Sequence, residues 1–225
     1  VSDVFGVSAQ TFVTNLPSDE RQSTPFTNES GTQAIAPVTI ENYQSFSEAY
    51  SNFYVTRTDY ATRFNAQAGC TPQSFSDRAC LVQFMTKMGS KIMRRPFTTA
   101  EAERYADAFL PLAASEKNFK TAVELALQMW LQHPEFLYRI EAGNGTMVEP
   151  NLVALNDYEI ASELSYLIWG STPDDTLLEK ARLGLLKDAT ARTAEALRLF
   201  QDPKARTQWQ RFHAQWLGYE GAILP

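Results

Sequence analysis

Two short stretches in the middle of the chain decide how the sequence is interpreted. They are Pro134-Glu135-Phe136-Leu137-Tyr138-Arg139 and Ala161-Ser162-Glu163-Leu164-Ser165-Tyr166-Leu167-Ile168-Trp169-Gly170. The second has the apolar periodicity of a helix, and its final glycine suits the left-handed residue that closes one. The first begins with a proline, which ends the preceding helix because the residue before a proline is pushed out of the helical region. Both stretches therefore predict helical structure.

Helix start signals surround these stretches. Thr98 with Glu101, and Asn156 with Glu159, have the spacing of a capping box, in which the two side chains bond each other's backbone N–H groups. Further starts are predicted at Ser115 (for a helix over 117–132), at Thr172 before Pro173, and at Asp202 before Pro203. Runs of alternating β-branched residues, which would indicate strands, are absent from the sequence. We therefore predict an all-α chain, a multi-helix orthogonal or bundle-like module with a long irregular N-terminal loop over residues 18–38.

Composition and charge argue against several classes of protein. A hydrophobic content of 44% predicts a globular chain, and a formal net charge of -6 argues against binding to nucleic acid, which needs a basic face. No stretch approaches the roughly 18 uninterrupted apolar residues that span a bilayer, so we expect no transmembrane segment. The first residues lack the regions of a signal peptide. We expect the chain to be a piece of a longer protein.

Cys70 and Cys80 are the only cysteines. One interpretation is a metal or redox pair, although the sequence contains neither Cys-x-x-Cys nor Cys-x-x-Cys-His. The other is a structural disulfide that ties residues 67–73 to the helix beginning near Ser76, and closing so short a loop would contribute about 2 to 3 kcal/mol. A disulfide would imply an oxidising compartment.

The residues that could carry chemistry are few. His133 and His213, the only histidines, could be haem or metal ligands or general bases, but no second histidine or carboxylate lies at ligand spacing beside them. Asp174 and Asp175 have the composition of a catalytic or calcium-binding pair, yet their place in a first helical turn suits a cap that complements the helix dipole. The sequence assigns no catalytic residue and predicts no metal site.

Tyr138, Arg139, Tyr166 and Trp169 form the candidate binding set. Aromatic rings beside an arginine suit stacking on a sugar ring or a planar cofactor. The alternative is an aromatic core in which Arg139 pairs with a carboxylate, either Glu135 or Glu163. Both interpretations remain open at the level of sequence.

A local basic cluster precedes the first signature. It consists of Lys87, Lys91, Arg94 and Arg95. The cluster could dock an acidic partner through its positive charge. The same side chains could instead complete the end of a helix, where cations suit the negative pole of the dipole.

Taken in order, the motifs resemble one group of proteins. From the N-terminus they are Arg94-Arg95-Pro96-Phe97-Thr98, Pro134 to Arg139, Leu164-Ser165-Tyr166 with Trp169-Gly170-Ser171, Pro173-Asp174-Asp175, Asp202-Pro203, and Gln215-Trp216-Leu217. This order resembles secreted bacterial (planctomycete-type) proteins of the domain-of-unknown-function families 1592 and 1595, which accompany cytochrome c modules. Asp3-Val4-Phe5-Gly6-Val7 with Leu16-Pro17 resembles the end of a preceding 1587-type domain. Glu163 departs from the pattern, which more often has a basic residue there.

The resemblance implies an organisation and a location. Residues 1–38 would hold the end of a preceding small domain and the long loop, residues 39–142 a helical domain with Cys70 and Cys80, and residues 143–225 a second helical domain that continues into further chain. The location would be the periplasm or the outside of a bacterial cell.

The resemblance also implies a function. The chain would be a helical module that scaffolds or docks within a secreted redox protein, and its partners would be other domains of the parent protein or a c-type cytochrome. We expect no cofactor in this chain, and c-type haem in the parent or a partner. The alternative is part of a periplasmic oxidoreductase that acts on a polymer such as a polysaccharide, with an active site shared with further chain.

Overall fold

A computed structural model of the chain describes residues 1–13, 26, 37–150 and 152–219. Within these residues there are eleven helices: α1 (Ser2–Phe5), α2 (Pro37–Thr56), α3 (Tyr60–Ala68), α4 (Arg78–Met93), α5 (Thr99–Ser115), α6 (Phe119–Gln132), α7 (Pro134–Leu137), α8 (Asp157–Trp169), α9 (Asp175–Arg182), α10 (Ala189–Phe200) and α11 (Pro203–Leu217). Strands β1 (Met147–Glu149) and β2 (Leu152–Val153) form one antiparallel hairpin. The predicted helical class is confirmed. Most of the loop predicted over residues 18–38 lies outside the described residues, and its last two residues already belong to α2.

The chain divides into two compact units. Unit 1 comprises residues 1–15 and 41–141, and unit 2 comprises residues 16–40 and 142–225. The domain boundaries inferred from the sequence, at residues 38 and 142, remain predictions about which parts fold by themselves.

Unit 1 is built around α6. This helix packs against α4 and α5, and its Trp130 and Leu127 are fully buried. The first residues of the chain belong to the same core, because the buried ring of Phe5 lies 5.9 Å from that of Tyr50. The Tyr50 hydroxyl in turn donates a hydrogen bond of 3.0 Å to the carbonyl of Val7.

The start of α6 differs from the prediction. Ser115 does not cap this helix but is the last residue of α5, and the cap is Asn118, whose side chain accepts a hydrogen bond from the N–H of Lys120 at 3.2 Å. Lys117, predicted to be helical, has a φ of 50°. The left-handed conformation of Lys117 therefore separates α5 from α6, and the next residue, Asn118, caps the new helix.

The predicted disulfide is present between Cys70 and Cys80, whose Cα atoms are 5.7 Å apart. It joins the segment after α3 to the first turn of α4. Asp77 caps that turn by accepting a hydrogen bond from the N–H of Cys80 at 3.0 Å. A covalent link and a helix cap thus meet at one residue and hold the start of α4.

Unit 2 is built around α8, which packs against α9, α10 and α11. Its core contains Ala161, Ile168, Trp169, Leu177, Ala181, Leu186, Leu199 and Ala205. The capping box of Asn156 and Glu159 opens α8 as predicted. The box of Thr98 and Glu101 likewise opens α5 in unit 1.

The cap of α9 is Asp174 and not, as predicted, Thr172. The Asp174 carboxylate accepts a hydrogen bond of 2.9 Å from the N–H of Leu177, while the hydroxyl of Thr172 is buried without a hydrogen-bond partner. Threonine and aspartate can both cap a helix, so residue type alone does not predict where α9 begins. Asp174 caps it because it directly precedes the first helical residue. Asp202 caps α11 as predicted and accepts a hydrogen bond from the N–H of Lys204 at 2.8 Å.

The hairpin of β1 and β2 departs from the all-helical prediction. Strands of two and three residues are too short to leave a visible alternation in the sequence. Glu159 Oε1 holds the approach to β1 by accepting hydrogen bonds from the N–H groups of Ala142 (2.8 Å) and Gly143 (2.9 Å). Gly143 has a φ of 72°, and a Cβ there would lie 2.5 Å from Cγ1 of Val153. Both the backbone conformation and this close contact therefore disfavour any residue with a side chain at this position.

Candidate functional site

Both histidines make local helical contacts. His133 caps α7, because its Nδ1 accepts a hydrogen bond from the N–H of Glu135 at 3.2 Å. Nδ1 of His213 lies 2.7 Å from the carbonyl oxygen of Trp209, one turn earlier in α11. Among the described residues, no group of three or more His, Cys, Asp or Glu side chains could hold a metal ion.

The acid pair of Asp174 and Asp175 separates into two roles. Asp174 caps α9 and also accepts hydrogen bonds from Arg198 at 2.8 and 3.0 Å. Burial alone would raise the pKa of Asp174, but the hydrogen bonds from Arg198 and from the backbone of Leu177 outweigh it and lower this pKa. Asp175 lies exposed in the first turn, where its charge suits the helix dipole. This arrangement favours the cap interpretation of the pair.

A nearly buried glutamate extends the same ionic network. Glu195 is 2% exposed and receives hydrogen bonds from Lys180 and from Arg198, the latter at 2.8 Å. Burial would raise the pKa of Glu195, yet the two cations overcome this and lower it. The network links α9 and α10 through charge, and this structural role accounts for the burial of Glu195.

The first signature and the basic cluster meet in unit 1. The guanidinium of the buried Arg94 donates to the carbonyls of Glu135 and, at 3.0 Å, of Tyr138. Arg95 donates two hydrogen bonds to the Glu135 carboxylate, at 2.7 and 3.1 Å, and one to Glu101 at 3.3 Å. Glu135, one of the two partners predicted for Arg139, is thus held by Arg95. Two of the four residues in the basic cluster therefore fasten α7 to α4.

The candidate binding set is divided between the units. Tyr138 and Arg139 lie exposed at the end of α7 in unit 1, and Tyr166 and Trp169 lie on α8 in unit 2. Arg139 and Tyr166 have interactions of their own. Convergence of the four side chains on one ligand remains a prediction.

Trp169 is a core residue of unit 2. It is 8% exposed, and its indole N–H donates a hydrogen bond of 2.8 Å to the carbonyl of Leu199. The side-chain cations of Arg198 and Lys204 lie 5.9 and 5.1 Å from its ring, within reach of a cation–π interaction. The indole therefore has partners within unit 2 both for its N–H and for its ring.

An exposed aromatic surface lies instead on α11. It consists of Trp209, Phe212, His213 and Trp216, which we call the aromatic stripe. Their positions i, i+3, i+4 and i+7 place them on one face of the helix, and neighbouring ring centroids are 5.4 to 6.2 Å apart. Trp209 is 47%, Phe212 40% and Trp216 58% exposed.

Exposed apolar surface continues on both sides of the stripe. The half-exposed ring of Phe200, at the end of α10, stacks on Trp209 with centroids 6.2 Å apart. Leu217 continues the apolar surface at the end of α11. Contiguous apolar surface of this kind marks interaction sites on soluble proteins. From the sequence, Trp216 and Leu217 stand out only as part of a motif of the resembled families, and His213 only as a possible ligand or general base. The spacing of aromatic residues in α11 is the signal that could have found the site.

Comparisons with known proteins identify two segments. Residues 80–141 match the model of PSD5, described as a protein of unknown function (DUF1595). Residues 155–223 match PSD4, described as a protein of unknown function (DUF1592). Each unit thus contains a segment that is similar to a family of unknown function. The resemblance to families 1592 and 1595 is confirmed, and the aromatic stripe lies within the segment similar to PSD4.

No curated protein and no solved structure matches the chain. Among the described helices, none combines the length and the apolar composition that crossing a membrane requires. The 1587-type start, the planctomycete type and the association with cytochrome c stay predictions.

Proposed function

We propose that the chain is a non-catalytic docking module of a secreted, cytochrome c-associated protein. It binds another domain of its parent protein, or a c-type cytochrome, through the aromatic stripe of α11. The observation that carries this proposal is the exposure of Trp209, Phe212 and Trp216 on one helix face. Aromatic side chains at the centre of a contact supply most of the binding energy in protein interfaces.

The assignments of the other candidate residues support docking over catalysis. Asp174, Glu195 and Glu135 have arginine partners within their own units. His133 and Asp174 cap helices. The disulfide between Cys70 and Cys80 is compatible with the secreted location that the resemblance implies.

The experiment compares stripe variants in binding to two probes, a purified monohaem c-type cytochrome and the remaining domains of the parent protein. Trp209→Ala and Trp216→Ala should each weaken binding by about 1 to 3 kcal/mol in calorimetry, because each removes an aromatic anchor. Phe75→Ala is the matched control, since Phe75 is 43% exposed and lies in unit 1 outside the stripe. Equal binding by the stripe variants and the wild-type chain would refute docking through this face.

The alternative, part of an oxidoreductase that acts on a polysaccharide, is tested with the same proteins. Exposed tryptophan rings also suit stacking on sugar rings, and Trp209 and Trp216 present such rings. Titration with a soluble cello-oligosaccharide separates the two. Binding of the sugar in place of both protein probes would favour this alternative.

A further inference from the structure

Phe26 contacts the aromatic stripe. Its ring stacks on that of Phe212, with centroids 5.4 Å apart and planes inclined by 20°. Stacked aromatic pairs at this separation have an interaction energy beyond that expected from the apolar area they bury. The two residues are far apart in sequence, and both belong to unit 2. An aromatic side chain of the same chain, distant in sequence, therefore already contacts the stripe.

The sequence around Phe26 has the composition of a short recognition segment. Phe26 is the only aromatic residue between Phe12 and Tyr43. Apart from Pro25, its neighbours within four residues are polar, and the charges from residue 18 to 30 are those of Asp19, Glu20, Arg21 and Glu29. Aromatic anchors contribute much of the energy of protein contacts, and arginine side chains recognise acidic motifs, so the segment combines two features of a peptide ligand.

The charge of α11 is complementary to that of the segment. Between Pro203 and Leu217 the sequence contains lysine and arginine but no aspartate or glutamate. Two of these cations, Arg206 and Arg211, are exposed. Arg206, one turn before Trp209, lies on the same side of the helix as the stripe, and a cation beside an aromatic surface favours an acidic ligand and raises its rate of association.

We infer that the aromatic stripe recognises a short acidic segment that carries one aromatic residue, and that Phe26 is the aromatic anchor of such a ligand in cis. The inference rests on the proposed function for the role of the stripe and adds the chemistry of its occupant. A partner that binds through the same contact competes with Phe26. Its apparent affinity is the intrinsic affinity multiplied by the fraction of molecules in which Phe26 does not occupy the stripe.

The test uses the full chain and a synthetic peptide with the sequence of residues 19–33, labelled with a fluorophore. Fluorescence anisotropy should show that the Phe26→Ala chain binds this peptide at least about fivefold more tightly than the wild-type chain does. The reason is that the Phe26 side chain, which competes with the peptide from within the same chain, has been removed. A peptide with alanine in place of the phenylalanine should bind at least about tenfold more weakly. Raising the salt from about 0.05 M to about 0.5 M should weaken binding several-fold.

Second variants locate the contact. Phe212→Ala, introduced with Phe26→Ala, should abolish the gain in peptide binding, and Phe75→Ala should leave it unchanged. Trp216→Ala provides another test of the stripe in case Phe212→Ala disturbs the fold, which circular dichroism reports. Equal peptide binding by wild-type and Phe26→Ala chains, or no binding by either, would overturn the inference.

The outcomes also separate this inference from the proposed function. Competition between peptide and Phe26, with no stripe-dependent binding of the cytochrome or parent domains, would refute only the proposed function. Stripe-dependent binding of those partners with no effect of Phe26→Ala would refute only the cis contact.

Discussion

At the scale of single residues, distinctive side chains in the segments similar to PSD5 and PSD4 have structural roles. Arg94 and Arg95 hold the turn at Glu135 to Tyr138 through carbonyl and carboxylate hydrogen bonds. Trp169 fills the core of unit 2 and bonds the end of α10 through its indole N–H. Distinctive residues in a sequence can therefore mark packing as readily as they mark a site.

Trp169→Ala should lower the free energy of unfolding by about 3 to 5 kcal/mol, because it empties a large buried site and leaves the carbonyl of Leu199 without its donor. Urea denaturation followed by circular dichroism measures this change. Trp216→Ala is the matched control and should change stability by about 0.5 kcal/mol or less, since its ring is exposed. A small effect of Trp169→Ala, with weakened partner binding, would restore the interpretation of Trp169 as a surface binding residue.

Removal of the disulfide should also destabilise unit 1. Cys70→Ser with Cys80→Ser should lower the free energy of unfolding by about 2 to 3 kcal/mol, because the denatured chain regains the freedom of the closed loop. Thiol titration of the wild-type chain under denaturing, non-reducing conditions should find no thiol. Two reactive thiols per chain would contradict the bond and remove its support for the proposed secreted location.

At the scale of elements, side-chain carboxylates and amides set where helices begin. Asn118, Asn156, Asp174 and Asp202 each accept hydrogen bonds from the first turn of the helix that follows. Asp174 also reaches Arg198, so the cap of α9 is tied to α10. The start of α9 is thus joined to α10 by charge as well as by its cap.

The stability of unit 2 should fall in acid because of this network. The folded-state pKa of Glu195 lies below its ordinary value of 4.5, so its ion pairs contribute fully above that pH and are lost as the pH falls through the lowered pKa. At pH 7, Glu195→Gln should lower the free energy of unfolding by about 1 to 3 kcal/mol, less than for a fully buried pair because Lys180 and Arg198 are about one-third exposed.

Chemical denaturation of wild-type and Glu195→Gln chains at a series of pH values tests this. The difference in stability should shrink below pH 4.5 as the wild-type carboxylate becomes protonated. Glu149→Gln, on the exposed strand β1, is the control and should have little effect at any pH. A difference that stays constant down to the pH of full protonation would show that charge is not its source.

At the scale of the whole molecule, the two units differ in what they expose. The aromatic stripe belongs to unit 2, while the aromatic residues at the centre of unit 1, including Phe64, Phe84 and Trp130, are fully buried. The segments similar to the two families lie one in each unit. We therefore propose that unit 1 supports the fold and that unit 2 presents the docking surface.

The purified chain should contain no stoichiometric haem or tightly bound metal. The sequence has no haem-attachment motif, and Nδ1 of each histidine already lies against a backbone group of its own segment. Elemental analysis and an absorption spectrum in the Soret region measure this. Stoichiometric iron, or loss of a Soret band in a His133→Ala or His213→Ala variant, would overturn the assignment of these histidines.

The sequence by itself determined most of the helices and several of their caps. Capping boxes and proline positions act over three or four residues, so a short window contains all the information they need. The same window left the starts of α6 and α9 ambiguous, because Ser115 and Thr172 can cap as well as Asn118 and Asp174. Strands as short as β1 and β2 leave no periodic signal.

Only the tertiary structure decided which side chains are covered. Trp169 and Trp216 both belong to apolar helical patterns, yet one is buried and the other exposed, because burial depends on which distant segments pack against each face. The pairing of Arg95 with Glu135, and the stacking of Phe26 on Phe212, likewise join residues far apart in the chain. Local spacing predicts that a face is apolar, and long-range packing determines whether that face is core or binding surface.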